Sequence, residues 1–163
     1  MKYLFVFLVL GLASSVIGQI RKKEHHYHDN RQLAYEYSIN EAGQRDGEQR
    51  DWHENGWLEK EYNFWLGKAH GLYREYNSDG SLWEEKTYNY GGLEGWYYKY
   101  DGDNISITGE YKAGKKIGIW RYYHYTVVNK GQKSKKEVYT ETGDGVLISK
   151  KCWDKDGTVI TCP

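Results

Sequence analysis

The chain is short of the material from which soluble cores are usually built. Between Gly71 and Gly92 it reads GLYREYNSDGSLWEEKTYNYGG, where Leu72 and Leu82 are the only aliphatic side chains. A core of packed leucine, isoleucine and valine is excluded there. Net charge is also missing, with 23 lysines and arginines against 23 aspartates and glutamates. That balance gives no global reason to bind nucleic acid, whose backbone demands clustered cations. The basic run NKGQKSKKE, Asn129 to Glu137, reads as a solvated loop between strands rather than a membrane or polyanion patch. There are only two cysteines, Cys152 and Cys162, so a zinc site lacks further ligands at this spacing.

Catalytic signatures are absent too. The chain has no Gly-x-Ser-x-Gly elbow, no phosphate loop and no His-Glu-x-x-His pair. Adjacent carboxylates such as Glu84 and Glu85 point to opposite faces of a strand and form no acid–base couple. A glycosidase-like pair drawn from separate strands stays open. His53, His70 and His124 fall at different repeat positions and share no role. The expectation is a protein that is not an enzyme and needs no cofactor.

What is present begins with MKYLFVFLVLGLASSVIGQ. One lysine, an apolar run from Tyr3 to Leu12 and small residues after it have the layout of a secretory signal peptide cleaved after Gly18. The run falls short of the ~20 residues a bilayer crossing needs, so no stable membrane span is expected. No cysteine stands at the cleavage site to take a lipid. Export places the chain in the periplasm, on the cell surface or outside the cell, where Cys152 and Cys162 can be oxidised. An even spacing through a tight turn puts both on one face of a hairpin, and whether they face each other depends on the loop.

A repeat organises the rest. Gly47, Gly71 and Gly95 are 24 positions apart, and Gly118 follows after 23. Five residues beyond each sits an aromatic: Trp52, Tyr76, Tyr100 and Tyr123. Turn quartets HENG and NSDG come next, then strands WLEKEYNF and SLWEEKTY, then Gly67 and Gly91. Asn-Gly and Asp-Gly favour tight turns because glycine enters the left-handed region without steric cost. Each unit therefore reads as a β-hairpin. A three-residue loop with a glycine bulge sets Trp52 against Leu58, Tyr76 against Leu82 and Trp153 against Val159. That register repeats an aromatic–aliphatic pair, worth ~0.2–1 kcal/mol each, so it is the expected one. Stacked hairpins make too thin a ribbon for an aliphatic core, and broad rings can fill a shallow one. The repeat glycines are expected to end strands, and Glu59, Glu61, Arg50 and Arg74 to solvate the other face.

With those residues laid out, GLYREYNSDGSLWEEKTYNYGG, GWYYKY and YKAGKKIGIWRYY resemble MORN-type repeats, most closely the bacterial variant of the YwqK-like antitoxin family. The likeness covers about Tyr35 to Tyr125. It implies an all-β fold, an open single-layer antiparallel sheet of stacked hairpins, acting by protein–protein interaction and, by the family label, in a toxin–antitoxin pair. The signal peptide departs from that label, and an aromatic-poor insertion from Thr126 to Glu137 breaks the array. GWYYKYDG is also similar to choline- or glucan-binding surface repeats, which leaves a glycan- or choline-binding module as the alternative. The chain divides into a signal peptide (1–18), a polar His-rich lead-in (19–34), the repeat array (35–125) and a loosened repeat with a C-terminal hairpin (126–163).

Tyr73, Tyr97 and Trp120 recur at one repeat position and form either a stacked platform or core packing. Trp57, Trp65, Trp83 and Trp96 fall between the regular aromatic positions and are the first candidates for exposed binding rings. His25, His26 and His28 are close enough in sequence to suggest a metal, but a polar lead-in without fixed geometry is the expected reading and no metal site is assigned.

Overall fold

A computed structural model describes residues 22–124 and 132–162; the expected signal peptide lies outside them. Twelve strands follow the chain: β1 (Lys22–Tyr27), β2 (Leu33–Ile39), β3 (Arg45–Trp52), β4 (Leu58–Trp65), β5 (Lys68–Tyr76), β6 (Leu82–Asn89), β7 (Gly92–Asp101), β8 (Asn104–Lys112), β9 (Lys115–His124), β10 (Gln132–Tyr139), β11 (Leu147–Trp153) and β12 (Val159–Ile160). They form one sheet in unbroken sequence order, each pair antiparallel. The sheet is open, with β1 and β12 at its two edges. No helix among the described residues is long and apolar enough to cross a membrane.

Two kinds of connection alternate along the array. At one end lie three-residue loops closed by paired backbone hydrogen bonds, such as His53 N–H to Trp57 O and Gly56 N–H to His53 O, each 2.9 Å. Gly56 and Gly80 hold φ near +87° and +84° in these loops, and Arg31 takes the same left-handed place in the first one. The expected register follows: Trp52 faces Leu58, Tyr76 faces Leu82 and Trp153 faces Val159. In the third unit the missing residue leaves a two-residue turn, and Tyr100 faces Ile105. At the other end, Leu66-Gly67, Tyr90-Gly91 and Ala113-Gly114 form two-residue turns with both residues at positive φ, the geometry that matches strand twist.

The repeat glycines do not end strands. Gly47, Gly71, Gly95 and Gly118 lie inside β3, β5, β7 and β9, with φ of 105°, 91°, 91° and 58°. At each, the strand slips against the one before it, as where Tyr62 faces Tyr73 but Phe64 faces Ala69. They are bulge positions that bend the strand and sharpen its twist. Toward the following strand, Gly47, Gly71 and Gly95 face Phe64, Tyr88 and Tyr111.

Two segments outside the regular repeat also enter the sheet. The His-rich lead-in supplies β1, paired with β2 from Lys22 to Tyr27. The segment expected to break the array supplies β10, paired with β9 and β11. Sequence alone misses both, because their side chains are polar on both faces and give no alternation.

Cross-strand partners share a face, so the register defines rows. One row runs Tyr37, Gln49, Tyr62, Tyr73, Lys86, Tyr97 and Gly109. This ring face holds the packed interior: Trp120 is 1% exposed, Gln49 4% and Cys152 4%. The indole of Trp120 lies over Gly109, where a Cβ would come within 2.2 Å of it. Tyr97 and Tyr111 flank the same ring at centroid distances of 5.3 and 4.9 Å. Cys152 and Cys162 are joined by a disulfide.

Candidate functional site

The ring face is not purely apolar. Glu75, Glu84, Lys60 and Lys99 share a row beside the rings, and three half-buried tyrosines hand their hydroxyls to carboxylates. Tyr73 O–H donates to Glu75 and Tyr97 O–H to Glu84, both at 2.7 Å, and Tyr122 O–H donates to Glu137 at 2.8 Å. Burial first, and the carboxylates second, push all three hydroxyls far above their ordinary value. Lys86 sits over the Tyr73 ring at 4.5 Å and pairs with Glu84. Burial by itself raises the carboxyl of Glu137, but hydrogen bonds from Tyr122, Lys135 and Tyr139 outweigh it and hold the group at about 2. These tyrosines, carboxylates and Lys86 all have partners inside the fold, so this face packs the molecule.

Trp120 thereby leaves the list of binding candidates. It is sealed between strands, and its Nε1–H donates to Glu110 O at 3.2 Å. Tyr73 and Tyr97 are half-buried in the same packing. Sequence reasoning could not separate platform from core at this position, because the decisive fact is the bare Gly109 on the neighbouring strand.

The other face carries charge in register. The row His25, Glu36, Arg50, Glu61, Arg74 and Glu85 crosses six strands with alternating sign after the histidine. Arg74 bridges Glu61 at 3.1 Å and Glu85 at 2.7 Å, and Arg50 reaches Glu36 at 3.6 Å. These two carboxylates raise the Arg74 guanidinium above its ordinary value. Beyond Glu85 the row continues through Tyr98 and Thr108 to Arg121, Lys136 and Lys151. A shallow cavity of about 140 Å³ lies over Arg50, Glu61, Leu72 and Arg74, and a wider groove of about 540 Å³ over Lys135, Cys152, Trp153 and Ile160.

Trp57, Trp65, Trp83 and Trp96 are 57%, 44%, 38% and 58% exposed. The fold spreads them out. Trp57 lies in the β3–β4 loop against Gly80, and Trp83 stands at the start of β6 under the Lys99 ammonium, 4.3 Å away. Trp65 stands beside the turn at Leu66-Gly67, and Trp96 stacks with Tyr98 on the charge face at 6.4 Å.

The three clustered histidines diverge. His25 lies 3.4 Å from Glu36, His26 stacks on Tyr35 at 4.3 Å, and His28 Nε2 bonds Trp52 O at 2.8 Å. His53 repeats that last contact on Tyr76 O at 3.0 Å, and Asn30 and Asn55 reach Glu54 O and Ser78 O. These side chains tie successive loops together. Among the described residues no group of three His, Cys, Asp or Glu side chains is placed to hold a metal.

No family model matches the chain, and no curated protein matches it. The architecture itself is that of a repeat β-hairpin protein, a single open antiparallel sheet of successive hairpins. A disulfide in so small a fold fits an oxidising, extracytoplasmic location.

Proposed function

We propose that this is an exported, non-catalytic hairpin-repeat module of the MORN type that holds a partner protein. One observation carries the reading: Trp57, Trp65, Trp83 and Trp96 stay exposed, together with Tyr27 and Tyr90, on a sheet that seals Trp120 to 1% exposure. Exposed aromatics of this size cost solubility unless used, and tryptophan is among the side chains in which protein interfaces concentrate their energy. Their spread over both ends and one face suits a broad partner better than a sugar or choline held in one cage. An antitoxin-like role is one form of this function, with the partner a toxin. The signal-peptide layout of the first 18 residues and the disulfide support export.

The test is affinity capture from an envelope extract on the mature chain, residues 19–163, beside co-sedimentation with insoluble polysaccharide. Trp57→Ala and Trp96→Ala serve as folded controls, because both rings are exposed. The expected result is one enriched protein that both variants release. Sedimentation with polysaccharide and no enriched protein overturns the reading in favour of a glycan-binding module.

A further inference from the structure

We propose that the outer edge of β11 accepts an extended acidic strand from the partner protein, which completes the charge row of the sheet. This rests on the protein-interaction reading above and names the surface and the partner's chemistry.

The row on the charge face is the first observation. From Glu36 to Glu85 each arginine stands between two carboxylates on neighbouring strands. At the other end Arg121 faces Lys136, and Lys136 faces Lys151. Like charges directly opposite destabilise a sheet, yet none of these three makes an ion pair among the described residues. Lys133 and Lys151 both lie about a ring's breadth from Trp153, at 5.4 and 5.3 Å, and add to the same positive field. The sheet alternates charge where it is complete and accumulates cations where it stops.

The second observation is the edge. β12 pairs only with Cys152 and Trp153, and the disulfide holds Cys162 at Cys152. Among the described residues no strand lies along the outer side of Leu147 to Lys151. Unpaired strand edges are templates for another chain, and proteins guard them with charge. The opposite edge is guarded so, by Lys22, Lys23 and Glu24 on β1. This edge carries Lys150 and Lys151 toward one end, but toward the other Val146, Leu147 and Ile148 are each about half exposed or more. They are a rare aliphatic cluster in a chain otherwise packed with rings.

Together these features specify the occupant. A strand added beside β11 satisfies its outer amides and carbonyls, sets aliphatic side chains beside Leu147 and Ile148, and places a carboxylate across from Lys151. Backbone pairing supplies affinity and the alternate side chains supply specificity. A polysaccharide has neither a peptide backbone to pair as a strand nor alternating side chains.

The probe is a capped six-residue peptide of alternating glutamate and valine, titrated into the mature chain by calorimetry. Controls are a lysine–valine peptide and a glutamate–valine peptide N-methylated at alternate residues, which keeps its charge and cannot pair as a strand. Lys136→Glu is the decisive variant, since it restores alternation between Arg121 and Lys151. It is expected to raise the melting temperature and still weaken the acidic peptide about threefold, because the introduced carboxylate pairs with Lys151, the exposed cation that the peptide would otherwise meet. The N-methylated peptide is expected to weaken by a similar factor. Equal binding of either control peptide, unchanged binding to Lys136→Glu, or equal affinity for polygalacturonate lost in the same variant overturns the proposal. If the captured partner binds Lys136→Glu as well as the unaltered chain, the edge is wrong and the interaction reading stands. If no partner is captured at all, the interaction reading falls first.

Discussion

Along Tyr62, Tyr73, Lys86 and Tyr97 one side of the sheet stacks rings over one another. One residue away on the same strands, along Glu61, Arg74, Glu85 and Tyr98, the other side is mostly ion pairs. A single-layer sheet offers each side chain either a ring neighbour or water. The ring face gains by excluding water and by close fit, so its polar groups must all be matched. The charge face stays wet, its pairs are screened, and each is worth little. The difference shows that a thin sheet draws its stability mainly from one face and leaves the other to charge and solvent.

The sharpest way to break that contrast is at Gly109. A methyl group there meets the Trp120 ring, which is fully buried and tied to Glu110 O. Gly109→Ala is expected to cost about 3 kcal/mol in denaturant unfolding, the scale of overpacking in a rigid core. A loss below ~1 kcal/mol would mean the ring face is looser than its contacts indicate.

Next comes pH, which addresses the matched polar groups of the ring face directly. The Glu137 carboxyl lies near 2 in the folded chain against an ordinary 4.5. Its stabilisation is complete above 4.5 and is lost as pH falls toward 2. Tyr62 and Tyr139 are raised to about 12 from 10, by burial first and by carboxylates next. Their contribution is complete below 10 and is lost as pH rises toward 12. Melting temperature is therefore expected to fall at both limits, and Glu137→Gln should flatten the acid limb. An acid limb that survives this substitution unchanged would assign it to other carboxylates.

The smallest effect belongs to the charge face. Arg74 makes two ion pairs but its side chain is 38% exposed. Arg74→Gln is expected to cost only about 0.5 kcal/mol, less in high salt. A cost rivalling that of Gly109→Ala would erase the distinction between the faces.

Much of the fold was legible because hairpin loops act locally. The spacing from Trp52 to Leu58 and from Tyr76 to Leu82 contains both the loop and the pair it creates. The glycine bulges were not legible. Gly71 is visible in a sequence, but its φ of 91° and the slip beside it are not. The charge row was hidden for a related reason. Glu61 and Arg74 are 13 residues apart, and only register puts them 3.1 Å apart. Exposure of the four candidate tryptophans follows from their irregular repeat positions, whereas burial of Trp120 depends on a glycine in another strand. Strand β1 was missed because KKEHHY offers no apolar alternation to detect.

The meander order has a mechanical consequence. The described strands pair only with their chain neighbours, and the first and last lie at opposite edges. Tension between the two edges acts on the hydrogen-bond ladders in series, so it opens them one at a time instead of shearing all together. Each released hairpin lengthens the chain by a fixed step and leaves its neighbours intact, since nearest-neighbour contacts supply the stability of such arrays. Anchored at one edge and gripped at the other, the molecule would give way in increments and rewind from whatever remains folded, as a shock absorber does.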